Sequence, residues 1–164
     1  PPAERVLVLT TDLPFLTAEG VVALLDACPG EAGLILPIIQ REEFEARFPG
    51  AWRRYVHLRD GDWIIGCACV MSPAAAAKAR EHFERAFAHR KNVFALAWAL
   101  GPSFLARLVL RRLTVDDIER RGGQMLACEC RAVRGLPAEL GFDIDRPVDY
   151  RYAMAHAEPA SDAR

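Results

Sequence analysis

The chain has 164 residues, 52% of them apolar and 26% charged. That size and balance fit about one globular domain with a substantial core, and they exclude a disordered or fibrous chain. With 21 Lys and Arg against 22 Asp and Glu, the formal net charge is -1, without the basic excess of a dedicated nucleic-acid binder.

The run Arg5–Thr11 is continuously apolar at its centre and lacks alternation. It suits a strand buried on both faces, as in a parallel sheet. No signal-peptide pattern precedes it, and a chain that enters a strand at once without Met reads as the later part of a longer protein. Thr17 is placed to N-cap a helix reaching Cys28, which Pro29-Gly30 stops. Leu34–Ile39 is a second strand, and its Pro37 points to a sheet edge or a bulge. A short helix follows over Glu42–Arg47. Tyr55–Leu58 and Trp63–Ile65 flank Asp60-Gly61, a hairpin signal, and Cys67–Met71 continues the second arm as a strand.

Pro73 opens an Ala-rich helix to about Arg90, and Val93–Leu113 forms a second helical block broken at Gly101-Pro102. The uncharged stretch Val93–Ala106 is too punctuated to span a bilayer. Thr114 and Asp117 resemble a capping box for a helix ending at Gly122-Gly123. Gln124–Val133 reads as a strand, and Pro147 as the first residue of a last helix to about His156. Strand–helix alternation favours an α/β fold over residues 1–157, with 74–123 as a helical insertion or cap and 158–164 as a loose tail.

Chemistry concentrates in two acidic segments. Asp12, in Thr11-Asp12-Leu13-Pro14, follows a strand, and the carboxyl ends of strands in open α/β sheets are where ligands bind. A carboxylate there suits Mg²⁺, although organising the turn is an equally good reason for it. In Phe142-Asp143-Ile144-Asp145, an extended backbone puts both carboxylates on one side, giving a divalent-metal or base site, or simply a solvated turn. Asp149 falls in the first turn of the last helix and complements its dipole.

Five cysteines is an odd number, which argues for a reducing, cytoplasmic setting over a disulfide framework. Cys67-x-Cys69 and Cys128-x-Cys130 miss the usual zinc spacing and read better as core thiols. Basic residues at Arg53-Arg54, Arg90-Lys91, Arg107 and Arg111-Arg112 suit phosphate contacts or solvated helix faces. Arg107 and Arg111, four apart beside an apolar block, fit a partner-binding or membrane-surface helix as well.

The strings Val8–Thr17 (VLTTDLPFLT) and Gly141–Tyr150 (GFDIDRPVDY) resemble two blocks of the MobA-like nucleotidyltransferases. That group makes molybdenum-cofactor cytidylyl and guanylyl conjugates on a glycosyltransferase-A-like, Rossmann-like mixed sheet with flanking helices. Phe48–Val56, Asp60-Gly61, Gly66, Arg90-Lys91 and Leu113-Thr114 extend the resemblance across most of the chain. It implies Mg²⁺-dependent transfer of a nucleoside monophosphate from an NTP to a small, often phosphorylated, acceptor. By position it implies Asp12, Asp143 and Asp145 as metal ligands, with Asp12 and Asp145 catalytic. Pro14, Arg54, Gly66 and Lys91 would contact substrate.

The chain departs from the family at three points. The family's Gly-rich phosphate loop is absent from the sequence, so this stretch alone would be inactive. Ile64-Ile65-Gly66-Cys67 stands where a branch of the family has Thr-Gly-Gly-Asn, which implies lost polar recognition of acceptor or base. Arg146 stands in place of Thr, which implies a lost N-cap. Two alternatives stay open: a non-catalytic binding or assembly module, possible as a homo-oligomer, and a nucleotide-sugar glycosyltransferase.

Overall fold

The computed structural model describes residues 5–30, 32–88 and 101–156. Lys91 lies outside them. The strands are β1 (Val6–Leu9), β2 (Leu34–Gln40), β3 (Val56–Leu58), β4 (Gly61–Ile65), β5 (Ala68–Met71) and β6 (Cys130–Val133). They form one sheet in the order β1-β5-β2-β4-β3, with β6 also paired to β2. Only the β2–β6 pairing is parallel among those described; the other four are antiparallel. The helices are α1 (Ala18–Asp26), α2 (Arg41–Arg47), α3 (Pro73–Ala88), α4 (Pro102–Val109), α5 (Val115–Leu126) and α6 (Pro147–His156). No helix among the described residues is long and apolar enough to cross a membrane.

β2 organises both faces of this sheet. Successive strand residues point to opposite sides, so Ile35 and Ile39 enter one core and Ile38 the other. The first core gathers Leu24, Phe44, Phe48, Leu140 and Phe142 from α1, α2 and the turn before α6. The second gathers Leu113 and Val115, with Ile118 and Phe104 from α5 and α4 packed against it.

Pro37 is buried inside β2, not at an edge. It is tolerated because β2 changes partner there. Leu34 and Ile35 pair with β5, whereas Ile38–Gln40 pair with β4. Between the two ladders, Leu36 and Pro37 lie opposite the longer stretch Gly66–Cys69. This is the bulge that a mid-strand proline calls for, and Gly66 N–H donates to the Pro37 carbonyl at 2.8 Å.

β1 corrects the sequence-based expectation. It is antiparallel, pairs with β5, and leaves Val6 and Val8 37% and 45% exposed, so it is not buried on both faces. A continuous apolar run does not by itself distinguish a buried strand from one with an open side.

Thr17 caps α1 by accepting from Gly20 N–H, and Thr114 and Asp117 form a full capping box at α5. α5, however, runs through Gly122-Gly123 to Leu126, and only Cys130–Val133 is strand. The two glycines serve close approach instead of termination. A Cβ on Gly123 would lie 2.9 Å from the Cys128 carbonyl, and one on Gly122 would lie 3.3 Å from Cys130 Sγ. α4 ends at Val109, so Arg107 and Arg111 do not share a helix face; Arg107 instead pairs with Asp117 at 2.7 Å.

A methyl group on Gly66 would lie 2.6 Å from Pro37 Cγ and 3.1 Å from the Pro37 carbonyl oxygen. Gly66→Ala is therefore expected to destabilise the protein by about 1–3 kcal/mol, the usual scale of overpacking. Chemical denaturation of the two proteins measures it.

Candidate cation site

Two arms of the chain meet beyond the bulge. The first leaves β1 through Thr10 and Thr11 to Asp12, then turns at Leu13–Leu16. Leu16 N–H donates to the Leu13 carbonyl at 3.3 Å. Pro14 occupies the second position of that turn, where its fixed φ is favoured. It lies exposed on the outside, and the turn carries the next residue, Phe15, into the core. There Phe15 packs edge-on against Phe142, with ring centroids 4.8 Å apart, and against Phe48 at 5.1 Å.

The second arm is the segment from Leu140 to Asp145, which Phe142 anchors at 1% exposure. The arms are joined through the main chain: Ile144 N–H donates to the Asp12 carbonyl at 3.1 Å. Cys67, in the bulge, touches both. Its carbonyl accepts from Thr10 N–H at 3.1 Å, and its N–H donates to the Leu140 carbonyl at 2.8 Å.

These bonds bring Asp12, Asp143 and Asp145 together. One carboxylate oxygen from each lies within 4.8 Å of the others. Among the described residues, this is the one group of three or more potential metal-binding side chains that lie so close; the cysteine pairs form none. Asp12 Oδ1 is buried without a hydrogen-bond partner. Burial pushes the Asp143 carboxyl above its ordinary value; Arg53 opposes the shift, and Asp145 and Asp12 add to it by repulsion. Like charges held this close disfavour ionisation unless a cation joins them. Burial also pushes the Cys67 thiol up to about 11, with Asp143 and Asp12 contributing, so it is uncharged at neutral pH.

A cavity of about 640 Å³ adjoins the cluster. Asp143, Asp145 and Cys67 line one part, Ile65 and Trp52 are exposed in it, and Arg54 lies on its wall. Gly66 contributes through its backbone at the bulge and lies beside this wall.

The residue that the sequence undervalued is Arg53. Its side chain is 7% exposed, and its guanidinium lies 3.4 Å from Asp143 Oδ1 and 3.6 Å from Asp149 Oδ1. It also donates to the Asp143 carbonyl. Adjacent arginines look alike in a sequence; only the fold decides which points inward. As expected of Arg in place of Thr, position 146 offers no side-chain acceptor to the first turn of α6, but the reciprocal bond from the helix is present. Buried Asp149 accepts from Arg146 N–H at 2.9 Å and pairs with the Arg146 guanidinium at 3.2 Å. That guanidinium in turn stacks 3.5 Å over the Trp52 ring.

No family model matches the chain, and no curated protein matches it. A solved structure described as a hypothetical transferase from Thermus thermophilus is similar to it, with a TM-score of 0.79 and 39% sequence identity. The match covers 89% of this chain and 63% of that one, so the chain spans less than two thirds of the structure it resembles. Over that length the two share a mixed α/β fold.

An acidic group whose folded-state pKa is raised destabilises the fold once ionised, that is, at pH above its folded value. Asp143→Asn removes that charge and leaves the Arg53 bond to the residue-143 carbonyl in place. In chelator-containing buffer at neutral pH it is expected to raise the melting temperature by roughly 2 °C. Differential scanning calorimetry tests the sign.

Proposed function

We propose that this chain is the cation-binding and acceptor-binding part of a nucleotidyltransferase of the MobA-like kind on a glycosyltransferase-A-like fold. Its reaction is Mg²⁺-dependent transfer of a nucleoside monophosphate from an NTP to a small acceptor. The observation that carries this reading is the convergence of Asp12, Asp143 and Asp145, with Asp12 Oδ1 buried and unsatisfied. Three carboxylate donors are hard oxygen ligands and suit a hard divalent ion better than a soft one. The likeness to a hypothetical transferase from Thermus thermophilus supports the transferase class.

In this reading Asp12 and Asp143, both half-buried, hold the cation from the protein side, and Asp145, the exposed member, completes the set where the site opens. A cation held by Asp12, Asp143 and Asp145 would supply charge neutralisation to the phosphate oxygens of the nucleotide. Arg54 lies on the cavity wall with no ion pair among the described residues, placed to attract an anionic group on either substrate. Ile65 and Trp52 offer that cavity apolar surface and exclude water from its sides. A neutral Cys67 thiol makes a weak donor there and a poor nucleophile.

The chain is expected to bind one Mg²⁺ or Mn²⁺. Asp12→Asn and Asp145→Asn should each weaken cation binding by at least about tenfold without unfolding the protein. Isothermal titration calorimetry measures it. A folded wild-type chain that takes up no divalent ion sinks the reading.

A further inference from the structure

We propose that Arg53 is the positioning residue of the cation site: its buried guanidinium holds Asp143 in the orientation that meets Asp12 and Asp145. This rests on the cation reading above and assigns that site a part it did not include.

The geometry is that of a two-sided clamp. One terminal nitrogen of Arg53 reaches both the carbonyl and Oδ1 of Asp143, and the other reaches Asp149 Oδ1 at 3.6 Å. The guanidinium plane also lies over Phe142, 4.3 Å from the ring centroid, with Phe44 at 5.7 Å. A single side chain from the α2–β3 connection thus grips the residue before the acidic pair, one member of the pair and the first turn of α6. Asp149, 2% exposed, fixes the clamp from behind and is itself held by Arg146. Burying a guanidinium is costly unless it is paired and hydrogen-bonded. Here it meets two carboxylates and donates to a carbonyl, while its Nε has no protein partner.

Electrostatics by itself gives the opposite expectation for cation affinity. A fixed positive charge 3.4 Å from Asp143 competes with an incoming cation, so removing it should tighten binding. If Arg53 acts by orienting Asp143, removing it should weaken binding. The two accounts differ in sign, and a role confined to global stability moves the melting temperature but not the affinity of the folded protein.

The experiment titrates Mn²⁺ into wild type and Arg53→Met, following free Mn²⁺ by electron paramagnetic resonance, with folding checked by circular dichroism. Arg53→Met is expected to bind at least about tenfold more weakly, the scale seen when a partner of a metal ligand is removed. Equal or tighter Mn²⁺ binding by folded Arg53→Met overturns the proposal. Should Arg53→Met fail to fold, Arg53→Lys decides: it keeps the charge but not the fork, and it is expected to bind about threefold or more weakly. Wild-type affinity in folded Arg53→Lys overturns the clamp while the cation site stands. A wild type that takes up no Mn²⁺ overturns the cation reading and this proposal with it.

Discussion

Two acidic turns more than a hundred residues apart are joined directly by a main-chain hydrogen bond, from Ile144 N–H to the Asp12 carbonyl. Everything at the site depends on that join, because it brings carboxylates together that would otherwise repel. The force that keeps it closed is apolar. Phe15, three residues beyond Asp12, and Phe142, one before Asp143, pack against each other and against Phe48. Burial of aromatic rings contributes favourable free energy in proportion to the area removed from water, and here it draws on a ring from each arm. The polar arrangement is thus built on hydrophobic supports set one to three residues away from each charge.

The same division of labour runs through the second arm. Phe142 anchors, Asp143 and Asp145 present charge, and Asp149 turns back into the protein to receive Arg53 and Arg146. The carboxylates therefore differ in role through burial: Asp149 is closed off at 2% exposure, whereas Asp145 remains exposed. The sequence set Asp149 apart only as a first-turn helix residue; the surrounding packing shows it buried against two arginines.

Much of this could be read from the residues. The Thr17 cap, the Thr114–Asp117 box and the start of α6 at Pro147 all rest on short-range rules and are found in place, and the hairpin signalled by Asp60-Gly61 is present with its turn one residue earlier, at Arg59-Asp60. The nearness of Asp143 and Asp145 is what their spacing of two suggested. The features that stayed hidden are those fixed by long-range contacts. Arg53 and Arg54 carry identical side chains, and only packing against Phe142 and Phe44 selects the first. Gly122-Gly123 carries a stop signal, yet β6 approaches so closely that the helix uses those glycines as a contact face. β1 has the composition of a buried strand and an open side that its own letters do not show.

Pro37 interrupts the sheet, and the interruption leaves Cys67 with a free amide and carbonyl that tie down Thr10 on one side and Leu140 on the other. The three-way junction is therefore stitched by backbone atoms that any amino acid possesses. Its side chain, which borders the cavity, carries no share of that joinery. Position 67 can therefore exchange a thiol for an amide or a hydroxyl and change the polarity of the cavity wall without loosening the junction.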